Sequence, residues 1–312
     1  HIKEKKPIIF LFGPTAAGKT NLAIKTYDYL PIEIISVDSV MVYKKCDVGS
    51  AKPSKQILKQ YPHHLVDVER LNNIFSVADF LNLAKTLIEE IHDKNKIPFF
   101  VGGSMMYFRS LFYGIHDLPG RDLEYRKELN QMKQNNSNSY LYKMLEAIDS
   151  DYAADIDHKD EIRIIRALEI YKNTGKKLSE IFSNNPTNGI REKYEVIQFG
   201  IKTDRDILHE RIKARLHEMI DNGLIEETEN ILKDFNIAED HPIRKAVNYK
   251  QSIEYINGKY PKDIFFDKAL YATRQLAKRQ VTWMKSWDNY TNVDIEDIKT
   301  ITNKVKNSLS SL

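Results

Sequence analysis

Eight consecutive residues near the amino end of this chain constrain its fold most strongly. They match the pattern G-x-x-x-x-G-K-[ST], between an apolar run at 8–12 and a helical pattern at 21–30, and read Gly13-Pro14-Thr15-Ala16-Ala17-Gly18-Lys19-Thr20. The glycines let the backbone curl so that successive N–H groups point at phosphate oxygens, and the following helix adds its positive end. Lys19 supplies a charge, and the Thr20 hydroxyl can hold Mg²⁺. The segment therefore predicts a phosphate-binding loop between a buried strand and a helix.

The hydrophobic pattern around this loop predicts an α/β fold. Apolar runs at 8–12, 32–37 and 97–101 are typical of buried parallel strands. The segments 21–30 and 77–95 have helical spacing, and Ser76 is a candidate N-cap for the second of them. Strands that alternate with helices favour a parallel sheet with helices on both faces.

The pattern changes in the middle of the chain, where charged residues with helical spacing replace strand-like runs. An alternating strand pattern returns at 194–201, and mostly helical segments follow it. We therefore predict three parts. These are the first part of the α/β core at 1–118, an all-helical insertion domain at 119–192, and the completion of the core with C-terminal helices at 193–312.

Composition excludes several classes of protein. The chain has 312 residues, of which 42% are hydrophobic, so it can bury a sizeable core. The single cysteine, Cys46, forbids an internal disulfide and a multi-cysteine metal site, which favours a reducing, cytoplasmic setting. No apolar run approaches the length of a membrane span, so we expect no membrane contact. The formal net charge of +3 neither demands nor excludes nucleic acid.

Two polar residues follow predicted strands and are expected near the phosphate-binding loop. Asp38 ends the second strand, and Ser104 follows Gly102-Gly103 after the third. Ligands of parallel sheets bind at the carboxyl ends of strands. Asp38 is then a Mg²⁺ ligand, a general base or an N-cap. The glycine pair is either a tight turn or a close approach to a ligand. The phosphate compound also stays open, since an ATP- or GTP-dependent small-molecule kinase and an enzyme with a diphosphate leaving group both need such a loop.

Basic residues near the end of the chain offer a surface for nucleic acid. The stretch 268–285 contains no acidic residue, and within it Arg274, Lys278 and Lys285 have the spacing of one helical face. A solvated amphipathic helix is the alternative. Arg163 and Arg166, one turn apart in the insertion, are equally consistent with packing stems that have charged tips.

Several motifs together resemble a known family. Besides the phosphate-binding loop they comprise the residues 35–39, Val42-Tyr43, 47–53, 62–67, 101–104 and 272–283. In this order they are similar to the bacterial tRNA dimethylallyltransferases, also called tRNA isopentenyltransferases, over about 7–287. The resemblance implies a P-loop NTPase-like or kinase-like core and transfer of a dimethylallyl group from dimethylallyl diphosphate to N6 of an adenosine. That adenosine lies immediately 3′ of the anticodon in tRNAs that read codons beginning with U.

The resemblance also implies roles for individual residues. Asp38 matches the general base, and Ser104 a residue that hydrogen-bonds near the adenosine; with Lys19 these form the expected catalytic set. Diphosphate is expected at the loop residues Gly13, Pro14, Thr15, Ala16, Ala17, Gly18, Lys19 and Thr20 and at Arg215, with Mg²⁺ as cofactor on Thr20. The anticodon stem-loop of tRNA is expected at Asp38, Ser39, Val40, Met41, Ser104, Arg126, Ile162, Arg163, Ile164, Ile165, Arg166, Arg244, Lys250, Gln251, Arg274, Lys278, Arg279 and Lys285. A monomer is the expected acting species.

Three positions depart from the family pattern. Ser104 stands where the family usually has Thr, so the hydroxyl is kept. Ala17 replaces a frequent Ser at a position where the backbone binds phosphate. Lys250 replaces a frequent Arg and cannot make the same two-pronged contact. Two other hypotheses remain from different classes of protein: a P-loop kinase, which would turn over ATP without tRNA, and an RNA-binding P-loop protein without catalysis.

Overall fold

A computed structural model describes residues 4–310 of the chain. In this range six parallel strands form one sheet in the order β3-β2-β4-β1-β5-β6. The strands are β1 (Pro7–Phe12), β2 (Ile32–Val37), β3 (His63–His64), β4 (Ile97–Gly102), β5 (Glu195–Ile201) and β6 (Thr291–Val293). Val37 and Phe12 both lie beside Gly102 in the register, so β2, β4 and β1 end at the same edge of the sheet.

Helices connect and follow these strands. They are α1 (Lys19–Tyr27), α2 (Lys55–Gln60), α3 (Val77–Asp93), α4 (Met105–Tyr113), α5 (Leu123–Gln134), α6 (Tyr140–Ile148), α7 (Ser150–Asp155), α8 (Glu161–Thr174), α9 (Leu178–Phe182), α10 (Arg205–Asp221), α11 (Leu224–Asp234), α12 (Tyr249–Ile256), α13 (Lys262–Ser286) and α14 (Ile298–Ser310). Within residues 4–310, no helix combines the length and the apolar character that crossing a bilayer requires.

The sheet is buried on both faces, as its continuous apolar strands predict. On one face Ile9 and Leu11 pack in a cluster with side chains of α1, α10 and α14. On the other face Phe10 and Phe12 lie against Phe108 of α4, with ring centroids 5.0 and 5.5 Å apart. This arrangement confirms the predicted α/β class with a parallel-sheet core.

A second compact unit comprises residues 113–189, between two stretches that together form the first unit. Its helices α5 to α9 bury their own apolar cluster, which includes Leu129, Leu145 and Leu168. Three aspartates cap its helices: Asp122 accepts a hydrogen bond from the N–H of Tyr125, Asp149 from that of Tyr152 and Asp160 from that of Arg163. The unit is all-helical in its described elements, and it begins six residues before and ends three before the predicted insertion at 119–192.

Sequence signals that lie within one short segment predicted the local structure correctly. Ser76 caps α3 through a reciprocal pair of hydrogen bonds with Asp79, as the pattern predicts. The short edge strand β6 was not predicted, because three residues carry too little periodicity to be distinguished from a loop.

Candidate functional site

The phosphate-binding loop connects β1 to α1 and is shaped by two residues with left-handed backbone conformation. Gly18, the N-cap of α1, has φ of 94°, and Ala16 has φ of 65°. A Cβ on Gly18 would lie 2.9 Å from Cδ1 of Ile295, a side-chain end that can shift, so it is the backbone conformation that favours glycine here. The Lys19 ammonium donates hydrogen bonds to the carbonyl oxygens of Gly13 and Pro14, at 2.8 and 2.7 Å. The backbone of the loop therefore holds the Lys19 side chain by two hydrogen bonds.

Two cations lie close together at this loop. Burial, followed by the positive charge of Arg215 and opposed by the charge of Asp38, lowers the pKa of Lys19 to about 7. Arg215, from α10, lines the same cavity as Lys19, and burial lowers its pKa from the ordinary value. Two desolvated cations repel each other, and an anion between them would relieve that repulsion. The loop and Arg215 thus make an electropositive site of the kind that binds phosphate groups.

Asp38 and Ser104 lie where the strand-end argument predicts them. The Asp38 carboxylate oxygen Oδ1 accepts hydrogen bonds from the N–H groups of Val40 and Met41, at 2.8 and 2.9 Å. The Ser104 hydroxyl oxygen accepts a hydrogen bond from the N–H of Ser39, at 3.1 Å. Asp38 therefore caps a turn as well as facing the cavity, and the segment after it is a series of turns instead of the helix that an N-cap would start.

The glycine pair before Ser104 is required by contacts within the protein. A Cβ on Gly102 would lie 2.0 Å from the carbonyl oxygen of Val37, and one on Gly103 would lie 2.6 Å from Nε2 of Gln280. The backbone oxygen of Val37 cannot give way, so it accounts for Gly102, whereas a side chain at Gly103 would have to displace the amide of Gln280.

One cavity of about 920 Å³ unites these groups. Its lining includes the residues 15–20, Asp38 to Met41, Ser104 and Arg215, and it adds apolar side chains from α10 and the segment before α12: Ile212, Leu216, Met219 and Val247. The cavity thus offers a cationic end for an anion, a carboxylate and a hydroxyl nearby, and an apolar wall.

Sequence reasoning missed three contributors to this cavity. Tyr107 lines it and stacks on Phe80 with ring centroids 4.6 Å apart, and burial raises its pKa to about 12. Gln280 of α13 lines it beside the phosphate-binding loop. Glu227 accepts hydrogen bonds from the N–H groups of residues 47, 48 and 49, the last of which lines the cavity. Gln280 falls within the family motif at 272–283, but nothing in the local sequence indicates the contacts of Glu227.

The residues expected at tRNA in the C-terminal part of the first unit differ in exposure and partners. Lys250, Lys278, Arg279 and Lys285 are exposed. Arg274 is only half-exposed, and its Nε atom is buried, so it departs from the single basic face predicted with Lys278 and Lys285. Arg244 donates hydrogen bonds to the carbonyl oxygens of Ile237 and Ala238.

Gln251 is buried, and its side-chain oxygen accepts a hydrogen bond from the N–H of Asn248. That bond caps α12, so the side chain of Gln251 has a structural role.

In the second unit, two of the expected RNA-contacting arginines are held by one carboxylate. Arg126 donates two hydrogen bonds to Glu169, at 2.6 and 3.0 Å, and Arg166 donates another. Glu169 is fully buried. Burial opposes its ionisation, but hydrogen bonds from Arg126, the N–H of Asp122 and Arg166 outweigh that effect and lower its pKa to about 2. Glu169 thereby holds the side chains of Arg126 and Arg166 in position.

The neighbouring residues of α8 differ in exposure. Ile162 and Arg163 are exposed and Ile165 is half-buried. Ile164, also expected at the tRNA, is 3% exposed and belongs to the apolar cluster of this unit, so its side chain packs within the unit.

Comparison with known proteins identifies the family of this chain. A family model described as IPP transferase matches residues 41–287. A tRNA dimethylallyltransferase from Acinetobacter baumannii is 38% identical over 304 residues, covering 96% of this chain and 95% of the relative.

Solved structures agree as well. The full-length tRNA isopentenylpyrophosphate transferase from Bacillus halodurans has a TM-score of 0.71 and 32% identity, covering 99% of this chain and 98% of that one. A eukaryotic dimethylallyltransferase acting on tRNA has a TM-score of 0.77 and 25% identity, covering 94% of this chain and 75% of that one. The chain therefore belongs to the IPP transferase family, which confirms the predicted membership among the tRNA dimethylallyltransferases.

Proposed function

We propose that this protein transfers a dimethylallyl group from dimethylallyl diphosphate to N6 of the adenosine immediately 3′ of the anticodon, in tRNAs that read codons beginning with U. Relatives named for this transfer to tRNA support the proposal. The observation that carries it is the single cavity that holds a phosphate-binding loop, Arg215, Asp38 and Ser104. A diphosphate leaving group and a nucleophilic amine would then meet within one site.

The cationic end of the cavity suits the leaving group. Breaking the allylic C–O bond leaves an electron pair and negative charge on the diphosphate, which Lys19, Arg215 and the loop N–H groups are placed to stabilise. The Thr20 hydroxyl lines the same cavity and is a hard oxygen donor of the kind that Mg²⁺ prefers, so this residue fits the ion. When bound on Thr20, Mg²⁺ would neutralise part of the charge of the diphosphate.

The carboxylate suits the amine. Both backbone hydrogen bonds to Asp38 go to Oδ1, so we assign Oδ2 to the N6 group. As the new N6–C bond forms, the proton of N6 passes to Asp38, and diphosphate departs with the electrons of the broken C–O bond. The Ser104 oxygen accepts from Ser39, which leaves its hydroxyl hydrogen to donate to the adenine.

The exposed basic residues suit the RNA. Three of the basic side chains exposed on α13 are those of Lys278, Arg279 and Lys285. Arg279 also lines the cavity. Contacts from such side chains to phosphates position a stem-loop without reading its sequence. The adenosine would leave its stack to enter the cavity, at a cost of a few kcal/mol.

The role of Asp38 is tested with Asp38→Asn, which keeps an oxygen to cap the turn and removes the base. The assay measures label transferred from dimethylallyl diphosphate to unmodified tRNA, followed by mapping of the modified nucleotide. We expect kcat to fall about 10²- to 10⁴-fold, with binding of inorganic diphosphate retained. Asp93→Asn, at the exposed end of α3, is the matched control and should transfer at the wild-type rate.

Two results would overturn this assignment. Unchanged transfer by Asp38→Asn would mean that Asp38 is not the base. Loss of Mg²⁺-dependent diphosphate binding together with transfer would make Asp38 a metal ligand instead. Label on a nucleotide other than the adenosine 3′ of the anticodon would contradict the proposed acceptor.

A further inference from the structure

Gln280 connects two parts of the cavity that are far apart in the sequence. Its side-chain oxygen Oε1 accepts a hydrogen bond from the N–H of Thr15 in the phosphate-binding loop, at 2.8 Å. Its Nε2 donates a hydrogen bond to the carbonyl oxygen of Gly103, the residue before Ser104, at 2.9 Å. One amide thus joins the loop that faces the leaving group to the turn that carries the hydroxyl.

The surroundings of the Gln280 amide hold it in one position between the phosphate-binding loop and the Ser104 turn. Gln280 is 7% exposed, so its two hydrogen bonds compete little with water. The end of α13 is anchored on the sheet, because Trp283 meets Phe12 of β1 edge to face, with centroids 5.6 Å apart. One turn further on, Trp287 donates a hydrogen bond from Nε1 to the side-chain oxygen of Gln198 in β5, at 2.7 Å. Gln280 is therefore placed by a helix that is fixed to two strands.

The space around the amide matches this role. A Cβ added to Gly103 would lie 2.6 Å from Nε2 of Gln280, and only 3.2 Å from the carbonyl oxygen of Gly13. The turns after β1 and β4 therefore approach each other closely, and a methyl group on Gly103 would have to displace the amide of Gln280. An amide suits this gap because it donates to one turn and accepts from the other, which neither a carboxylate nor an apolar side chain can do.

We propose that Gln280 is a positioning residue for the transfer reaction, which holds the phosphate-binding loop and the Ser104 turn at the separation needed for the allylic carbon to meet N6. The inference rests on the proposed function for its reaction. The side chain of Gln280 contacts the backbone of Thr15 and Gly103. It differs in this from its neighbours Lys278 and Arg279, which are assigned to RNA. In-line transfer is sensitive to such spacing, since a misplacement of about 1 Å can lower a rate about 10²-fold.

The test uses Gln280→Met, which keeps the length of the side chain and removes both hydrogen bonds. Gln275→Met, the same change on the same helix and outside the cavity lining, is the control. Transfer kinetics give kcat and KM, inorganic diphosphate gives a Kd for the loop, and filter binding gives a Kd for tRNA. We expect kcat to fall about 10- to 100-fold and diphosphate to bind about fivefold more weakly. The tRNA Kd should stay within about twofold, and Gln275→Met should match the wild type.

A double-mutant cycle separates this role from general packing. Gly103→Ala places its methyl group against Nε2 of Gln280 and should lower kcat in the wild-type background. In the Gln280→Ala background that neighbour is gone, so the same change should cost at least fivefold less. Should Gln280→Met fail to fold, the Gly103→Ala variant breaks the same link from its other side.

The outcomes distinguish this inference from the proposed function. If the wild type transfers the group and Gln280→Met keeps its kcat and its diphosphate Kd, Gln280 is not a positioning residue. If tRNA binding weakens more than fivefold while kcat at saturation is unchanged, Gln280 is an RNA contact and the inference is overturned. If the wild type binds diphosphate but transfers nothing to tRNA, the proposed function fails, and the inference that depends on it fails too.

Discussion

The hydroxyl of Tyr249 donates a hydrogen bond to Oε2 of Glu227, at 2.7 Å. The same carboxylate accepts hydrogen bonds from the N–H groups of Asp47, Val48 and Gly49, at 2.8, 2.8 and 3.0 Å. The Tyr249 ring also fills the space beside Gly49, where an added Cβ would lie 2.5 Å from the ring. Glu227 and Tyr249 together fix the loop whose next residues line the cavity.

Removing this hydroxyl should lower stability without abolishing the fold. Tyr249→Phe loses one hydrogen bond to a charged acceptor, so we expect the free energy of unfolding in urea to fall by about 2 kcal/mol. Glu227→Gln should cost more, because its amide nitrogen cannot accept from the backbone N–H groups. Tyr29→Phe, at an exposed position, is the control and should change stability by less than about 0.5 kcal/mol. Equal effects of the two tyrosine variants would contradict the role of Tyr249.

Binding of diphosphate should take up a proton on Lys19. Its pKa of about 7 means that at pH 8 the Lys19 side chain is mostly a neutral amine. A bound anion raises that pKa, so binding adds up to about one proton and affinity falls as pH rises through 7. Calorimetry with inorganic diphosphate, in two buffers of different ionisation enthalpy, measures the uptake. Lys19→Arg stays protonated and should take up correspondingly less. The same uptake by both proteins would show that Lys19 is already charged.

The buried carboxylate of the second unit should give a stability that is lost in acid. The folded pKa of Glu169, about 2, lies below its ordinary value of 4.5. Its contribution is therefore complete above about pH 4.5 and declines as pH falls towards 2. Glu169→Gln should lower the free energy of unfolding by about 2 kcal/mol at pH 6, a value reduced because solvent reaches Arg126 and Arg166.

Urea unfolding at pH 6 and pH 3 checks this prediction, since the difference between Glu169→Gln and the wild type should narrow at pH 3. Glu161→Gln breaks the exposed pair with Lys133 and should cost less than about 1 kcal/mol at either pH. A difference that is the same at both pH values would show that the charge of Glu169 does not stabilise the fold.

Two of the exposed lysines of α13, Lys278 and Lys285, should account for part of the salt dependence of tRNA binding. Neutralising one phosphate releases counterions, so Lys278→Ala and Lys285→Ala should each make the slope of log Kd against log salt shallower by about 0.7 to 0.9. Lys306→Ala, on an exposed position of α14, should leave the slope unchanged. If all three variants change the slope equally, α13 has no special place at the RNA.

The sequence predicted where a group lies in the fold when neighbouring residues encode that placement. The phosphate-binding loop, Asp38 and Ser104 follow strands whose apolar runs are local, and the rule for parallel sheets then brings them together. The bonds of Gln280 to Thr15 and of Glu227 to residues 47–49 join positions about 265 and 180 residues apart, and no local pattern records them.

Helical spacing in the sequence also did not predict the burial and the partners of the basic side chains. It placed Arg274, Lys278 and Lys285 on one face, but it could not show that the Nε atom of Arg274 is buried. It also could not show that Arg126 and Arg166 share Glu169. Such partners depend on which helices meet in the fold, so only the structure reveals them.

The transfer reaction itself is the most direct test of the account. Wild-type protein is incubated with Mg²⁺, labelled dimethylallyl diphosphate and unmodified tRNA, and both labelled tRNA and released diphosphate are measured over time. We expect one labelled adenosine per tRNA, with one diphosphate released for each, and no transfer when the tRNA carries guanosine in place of the adenosine 3′ of the anticodon. Hydrolysis of ATP without tRNA, with no label entering RNA, would contradict it and indicate a P-loop kinase instead.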